Sequence, residues 1–370
     1  MTYYLIAGEA SGDLHGANLM KALKIEDPNA RFRFLGGDLM LAEGGNLVKH
    51  YSEMAFMGFV EVLFNIRSIL KNLKETKADI LEHKPDVLIL IDFPGFNLKI
   101  AEFAKKKGIK VFYYISPKVW AWNQKRVLKI KKVVDKMFCI LPFEVDFYRS
   151  WGMEVDYIGN PLLDAIEDFK PDEKFRLTHS LGEKAIVALL PGSRKQEINK
   201  ILPVMLSVVH QFPNYQFVIG GAPNFNEDYY REFIGDKKVP VVYNQTYNLL
   251  KNADAAIVTS GTATLETALL DIPQVVVYKG NAVSIAIARL LVKIKYISLV
   301  NLIMDTPIVK ELIQEDCNTV ILTKELNALL HDPLYRSQML INYQQLAERM
   351  GEPGASGKAA KLIVQAIINN

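Results

Sequence analysis

The chain has 370 residues, of which 50% are hydrophobic, 23% charged and 10% aromatic. That balance excludes a disordered, collagen-like or fibrous protein and, at roughly 150 residues per domain, predicts two domains with a core each. Its 44 basic and 41 acidic residues leave a net charge of only +3, too small for a protein that coats nucleic acid, and Cys139 and Cys317, far apart and without CxxC spacing, supply neither a disulfide framework nor a zinc site, as expected in a reducing cytoplasm.

The opening MTYYLIAGEASGD passes from a short apolar run straight into a glycine-rich turn, with no positive charge ahead of it, so it reads as a first strand and not as a signal peptide. Runs rich in Val, Ile, Leu and Tyr then alternate with helix-length amphipathic segments to the end of the chain, the pattern of parallel sheets covered by helices. The strands expected in the first half are Tyr3 to Ala7, Arg31 to Leu35, Val87 to Asp92, Lys110 to Ile115, Lys136 to Ile140 and Val155 to Ile158. In the second half they are Ala185 to Leu190, Gln216 to Gly220, Val239 to Tyr243, Ala255 to Thr259 and Gln274 to Tyr278. DVLILID is apolar on both alternating faces, as a strand buried under helices on both sides of its sheet requires. Gly159 to Gly182, with Pro161, Pro171 and alternating charges, reads as the linker. The longest stretch free of Lys, Arg, Asp and Glu, Ile201 to Asn226, is broken by Pro203, Pro213 and Gly220, so any membrane contact is peripheral. The domains are drawn at 1–165 and 166–350, with 351–370 holding a last helix, Lys358 to Ile368.

Several turns carry residues suited to chemistry. In AGEASGDLHGA, Gly8, Gly12 and Gly16 recur every four residues beside Ser11 and His15, with a helix expected from near Asp13. Glycines at a strand-to-helix turn admit close approach of backbone N–H groups to a ligand, and a tight packed turn explains them equally well. Neither GxGxxG nor GK followed by Ser or Thr is present, so dinucleotide and Walker-type readings are weak. IDFPGFN puts Asp92 at the carboxyl end of an apolar strand, the edge where open α/β sheets bind ligands. Hemmed by Phe93, Pro94 and Phe96, its carboxylate would be desolvated and made more basic; a plain cap for the helix near Asn97 is the alternative. LLPGSRKQEI repeats the design, with backbone donors at Gly192 and Ser193 and the guanidinium of Arg194 suited to a diphosphate. VTSGTATLE adds Ser260, Gly261 and Thr262 at a second helix start, and Glu266 one turn on, where a carboxylate can accept from ribose hydroxyls. A surface arginine, an ordinary cap and an ordinary helix-face carboxylate are the plain readings of the same residues.

SPKVWAW sets Ser116, Trp120 and Trp122 after another strand, inside a segment, 105–136, that holds 11 Lys or Arg and one acid, Asp135. Such a segment suits nucleic acid, anionic lipid or a phosphorylated substrate, and is commonly just a solvated helix face. From Met57 to Leu73, apolar Phe59, Val60, Leu63, Phe64, Ile66, Leu70 and Leu73 form a broad face with Arg67, Lys71, Lys74 and Lys77 alongside. The pattern fits an interfacial helix and equally a core-facing one; with the basic segment it favours a lipid over RNA. The six histidines show no metal-ligand spacing.

Taken in order, AGEASGDLHGA, LGGDLM, MGFVEVL, IDFPGFN, YYISPKVWAWNQKR, LPFE, LLPGSRKQEI, SGTATLE and YISLVNLI resemble the lipid-A-disaccharide synthase family over nearly the whole chain. The resemblance implies an α/β protein of GT-B architecture, two Rossmann-like doubly wound parallel-sheet domains facing a cleft, the first for the acceptor and membrane, the second for the UDP-sugar, with the last helix crossing back to the first. It implies UDP-2,3-diacylglucosamine as donor, 2,3-diacylglucosamine 1-phosphate as acceptor, and a β(1→6) disaccharide phosphate and UDP as products. The family's catalytic aspartate falls on Asp92, which inversion by single displacement makes the base for the acceptor hydroxyl, and its donor-phosphate arginine on Arg194. Gly192, Ser193, Ser260, Gly261, Thr262 and Glu266 complete the expected donor site. Gly8, Ser11, Gly12, His15, Ser116, Trp120, Asn301 and Glu311 are expected at the acceptor or cleft, and Phe59, Val60, Leu63, Phe64, Arg67 and Lys71 at the membrane. No metal or cofactor and no nucleic acid is expected; the protein would lie on the cytoplasmic face of an anionic inner membrane, with a homodimer left open. Asn160 and Gly95 depart from the family pattern, which often has a histidine and an acid there, so roles suggested for those positions do not transfer. The rival readings are a UDP-N-acetylglucosamine 2-epimerase or another UDP-sugar enzyme of this fold, and a non-catalytic membrane-surface or nucleic-acid-binding protein.

Overall fold

In the seven-stranded parallel sheet of the first half, alternate residues of one strand enter different cores. Tyr3 and Leu5 belong to one cluster, and Tyr4 and Ile6 to the other, because successive side chains of a strand point to opposite faces. Both faces are therefore covered, and the sheet is doubly wound. The structure, a computed structural model, describes residues 1–54, 66–281 and 295–369. The chain divides into two compact units, residues 1–164 with 352–370, and residues 165–351.

The first unit comprises β1 (Thr2–Ala7), β2 (Arg31–Gly36), β3 (Asn46–His50), β4 (Val87–Ile91), β5 (Lys110–Tyr114), β6 (Lys136–Cys139) and β7 (Asp156–Tyr157). Their order is β3-β2-β1-β4-β5-β6-β7. The chain winds outward from β1 in one direction, returns, and winds outward from β4 in the other, so the carboxyl ends of β1 and β4 form the switch point where open α/β sheets bind ligands. The helix Ala355–Ile368 packs against Ala10–Glu26 of the same unit, and puts Ala359, Ala360, Ile363 and Val364 into the core beside β1. Three contacts fix it: Gly354 N–H donates to Asp164, Tyr114 and Ser356 share a hydroxyl hydrogen bond of 3.2 Å, and Lys110 Nζ donates to the Ile367 carbonyl at 3.2 Å. An anion at the helix N-terminus and a cation at its C-terminus both complement the helix dipole.

The second unit comprises β8 (Ala185–Leu190), β9 (Tyr215–Gly221), β10 (Val241–Tyr243), β11 (Ala253–Thr259), β12 (Gln274–Tyr278) and β13 (Lys310–Ile313), in the parallel order β10-β9-β8-β11-β12-β13. Its switch point lies between β8 and β11. Ile186, Ala188 and Leu190 of β8 join Val218, Ala256 and Val258 under Leu249, Leu250 and Leu270.

The expected strands are all present, within a few residues at their ends. β3 and β13 were not expected: both are sheet edges, half-exposed, and NLVKH and KELI carry no continuous apolar run. The first helix begins at Ala10 and not near Asp13, and the linker contains two short helices, Pro161–Glu167 and Phe175–Thr178. Phe59, Val60, Leu63 and Phe64 lie outside the described residues. The helix they were expected to share is described from Ile66 to His83, with Leu73, Thr76 and Ile80 buried. Ile66, Arg67, Leu70 and Lys71 are exposed. Among the described residues no helix is long and apolar enough to cross a membrane.

Candidate active site

At the first switch point, β4 ends in a backbone turn that ordinary side chains avoid. Asp92 has φ 41° and Phe93 φ 46°, the left-handed region, which a bulky residue enters only when its surroundings hold it there. The Phe93 ring lies over Gly8 at the end of β1, so close that a Cβ on Gly8 would fall 2.3 Å from it. Gly12 is less tight, with Ala7 Cβ at 3.2 Å from the position of an added Cβ. Gly8 and Gly12 thus bring β1, its helix and the Asp92 turn together.

Asp92 is half-buried. Burial pushes its carboxyl above the usual aspartate range; Lys118 pulls it down and Glu9 pushes it up. Ser11 is exposed on the first turn of Ala10–Glu26. His15, two turns in, is driven down to about 4 by burial, and its Nδ1 has no partner among the described residues. Asp13, in the sequence no more than a marker of a helix start, is buried and accepts from the N–H groups of Gly37 (2.7 Å), Leu39 (3.1 Å) and Met40 (3.1 Å). It ties the LGGDLM turn to the glycine-rich one.

Ser116 and Trp120 are buried around a residue not singled out in the sequence, Glu144 of LPFE. Its Oε1 accepts from Ser116 Oγ and from Trp120 Nε1 (3.1 Å), and its Oε2 from the N–H groups of Leu141 (3.0 Å) and Ile140 (3.3 Å). Burial raises its carboxyl to about 7 against the pull of those donors. The signal was the Glu two residues after Pro142, where a helix N-terminus supplies orphan N–H donors. Asn160 is buried too, donating to the Ile140 carbonyl (3.0 Å) and accepting from Leu162 N–H (3.0 Å). Gly95, the other departure, has no atom of the described residues within 4 Å of where a side chain would begin.

In the second unit, Gly192 adopts φ +96°, and a Cβ there would meet Glu197 Oε2 at 2.9 Å and Thr259 Cγ2 at 3.0 Å, so the turn demands glycine. Ser193 and Arg194 follow, exposed, at the N-terminus of Lys195–Ser207. Arg194 touches only Glu197 among described acids, at 3.2 Å and in solvent, a pairing weak enough to leave its guanidinium free for a ligand. Ser260 donates to the Ile297 carbonyl at 2.7 Å, and Gly261 and Thr262 open Thr262–Leu269. Glu266 accepts from Tyr247 Oη at 2.9 Å, and burial raises its carboxyl. Thr259, Tyr243 and Gln245 also stand here, and their buried Oγ1, Oη and Oε1 have no partner among the described residues. Nothing in VTS or VVYNQ marks them, because an orphaned polar atom shows only once its neighbours are known.

Asn301 is fully buried, donating to the Val309 carbonyl (2.9 Å) and to Glu311 Oε1 (2.9 Å) and accepting from Val309 N–H (3.0 Å). Glu311 also accepts from Ser298 Oγ (2.7 Å) and from Ile297 N–H (2.9 Å). The pair therefore holds the same Ile297 whose carbonyl Ser260 grips. Among the described residues no group of three or more His, Cys, Asp or Glu could hold a metal ion.

A sequence profile described as lipid-A-disaccharide synthetase matches residues 3–365. The lipid-A-disaccharide synthase of Syntrophus aciditrophicus is 40% identical, covering 98% of this chain and 97% of its own; that of Coxiella burnetii strain CbuG_Q212 is 36% identical, covering 97% and 96%. Among solved structures, a UDP-GlcNAc 2-epimerase from Neisseria meningitidis bound to UDP-GlcNAc superposes with a TM-score of 0.67 at 13% identity over 100% of both chains. A glycosyltransferase of kitacinnamycin gives 0.67 at 13%, over 99% of each. At such identities these show the fold alone: α/β, with two Rossmann-like parallel-sheet domains of the GT-B class. The family comes from the full-length matches, and the epimerase reading is left as a likeness of fold: this chain belongs to the lipid-A-disaccharide synthetase family, glycosyltransferases of lipid A biosynthesis that act on a UDP-sugar and a lipid acceptor.

Proposed function

We propose that the protein transfers 2,3-diacylglucosamine from its UDP derivative to the 6-hydroxyl of 2,3-diacylglucosamine 1-phosphate by inverting single displacement, with Asp92 as the base. The observation that supports it most is the half-buried carboxylate at the β1/β4 switch point, its basicity raised by burial. As the acceptor oxygen attacks the anomeric carbon, Asp92 takes its proton, and the bond to the UDP oxygen breaks. Negative charge then gathers on the diphosphate. Two helix N-termini, at Ser193 and at Ser260 to Thr262, face that charge with N–H donors, the Arg194 guanidinium adds a bidentate partner, and Thr259 Oγ1 is a further donor in need of an acceptor. Glu266 would receive the ribose hydroxyls. No metal is assigned to the reaction.

Both substrates carry acyl chains, and the protein is proposed to work on an anionic membrane surface. Exposed Ile66, Arg67, Leu70 and Lys71 and the exposed lysines Lys118, Lys125, Lys131 and Lys132 support that reading.

The test is disaccharide formation and UDP release from the two acylated glucosamines in detergent. Asp92→Asn should lower turnover by roughly 10²- to 10⁴-fold while binding UDP as before. Arg194→Ala should weaken UDP binding, and EDTA should change nothing. Wild-type turnover in Asp92→Asn would remove the base assignment; a requirement for added metal would remove the charge assignment.

A further inference from the structure

The Asp92–Phe93 turn is the most strained piece of backbone at either switch point. Two consecutive non-glycine residues in the left-handed region are each strained there, so other contacts must hold the turn in place. Those contacts converge on one atom. The backbone carbonyl oxygen of Asp92 accepts a hydrogen bond from Asn97 Nδ2 (2.8 Å) and another from Tyr113 Oη. Both donors are fully buried, and they reach the oxygen from different elements, Asn97 from the helix Pro94–Lys106 and Tyr113 from β5. Asn97 Nδ2 also lies 3.2 Å from the Ile91 carbonyl, and Asn97 N–H donates to the Phe93 carbonyl at 3.0 Å. One buried asparagine thereby grips three successive carbonyls, those of residues 91, 92 and 93.

A carbonyl at the end of a strand needs only one donor, and solvent ordinarily supplies it. Two buried side chains spent on this one fix the peptide plane after Asp92, and with it the direction in which its Cα–Cβ bond leaves the strand. We propose that Asn97 and Tyr113 are positioning residues for the transfer reaction, acting on Asp92 through its own backbone carbonyl and not on substrate. The assignment rests on Asp92 being the base. Neither residue reaches the reacting atoms; what they set is where the carboxylate stands when the acceptor hydroxyl arrives, and a misplacement of about 1 Å can cost 10²-fold in rate.

The experiment is a double-mutant cycle on the full-length protein, with disaccharide formation in detergent. Tyr113→Phe keeps the ring and its packing and removes only the hydroxyl; Asn97→Ser removes the second donor independently. Each should keep the wild-type melting profile within a few degrees and lower kcat by roughly 10- to 100-fold with both KM values nearly unchanged. In an Asp92→Asn background, Tyr113→Phe should cost nothing further, because the group it positions is already gone. Losses that multiply in the double variant, or wild-type kcat in both single variants while Asp92→Asn is crippled, would overturn the positioning role alone. Wild-type kcat in Asp92→Asn would instead overturn the base reading on which it rests. Should Tyr113→Phe fail to fold, the same cycle with Asn97→Ser decides.

Discussion

At the scale of a residue, the reactivity assigned to Asp92 is a balance of four influences of known sign. Burial raises its pKa, the nearby Lys118 ammonium lowers it, the Glu9 carboxylate raises it and a hydrogen bond from the Phe93 backbone N–H lowers it. A base must be ionised to accept a proton, so kcat/KM should rise with pH along an acid limb that lies above the ordinary aspartate value of about 3.9. Lys118 is exposed and Glu9 half-exposed, so each can be neutralised without opening the core. Lys118→Met should move the limb to higher pH and Glu9→Gln to lower pH, in both cases with the plateau rate kept to within a few-fold. A pH–rate profile that neither variant shifts would show that the limb belongs to another group. Asp92 itself was legible in the sequence because its signal is local, an acid ending an apolar strand. Glu144 was not: its partners come from the turns after β5 and β6 and from a short helix between those strands, and only the fold brings Ser116, Trp120 and two backbone N–H groups to one carboxyl group.

At the scale of elements, Glu144 joins the turn after β5, the turn after β6 and the helix Pro142–Ser150, at the cost of burying an ionisable group. Its folded pKa of about 7 exceeds the unfolded value of about 4.3, so the native state binds the proton more tightly. The resulting stability is complete below about pH 4.3 and is lost as pH rises through 7. Glu144→Gln cannot titrate, and its amide brings two donors among the surrounding donors where the protonated acid brings one, which leaves a buried N–H group unpaired at about 1–3 kcal/mol. The variant should be less stable than wild type at pH 5, with a gap that narrows as pH rises to 7.5, read by denaturant unfolding at a series of pH values. A gap independent of pH would mean that Glu144 stays ionised throughout. The same dependence on neighbours explains which elements the sequence displayed. Central strands such as β4, buried on both faces, read as unbroken apolar runs. β3 and β13, each paired to only one neighbour among the described residues and partly exposed, keep too few apolar residues to stand out from a loop.

At the scale of the whole molecule, the first unit is discontinuous in sequence: residues 352–370 return to it after the second unit has been completed. An apolar final helix was visible in the sequence, but its docking on the first domain was implied only by the family resemblance and by no pattern in the residues themselves, since its partners lie more than 300 residues upstream in Ala10–Glu26. The energetic consequence falls on one unit. Ending the chain at Gly351 removes Ala359, Ala360, Ile363 and Val364 from the core beside β1, and burial of Ile363 and Val364 alone is worth about 1.5–3 kcal/mol each. It also leaves Asp164 and Lys110 without the helix termini they hold. The second unit loses no core residue. Hydrogen exchange of the truncated chain should therefore show β1, β4 and β5 losing protection by several orders of magnitude, while β8, β11 and β12 keep the wild-type rates. UDP, if held by the turns at Gly192 and Ser260, should still slow exchange in the second unit, and disaccharide formation should be lost because Asp92 stands in the first. Equal loss of protection in both sheets would mean that the last helix stabilises the molecule as one cooperative body, and that the division at Asp164 and Gly351 has no counterpart in its unfolding.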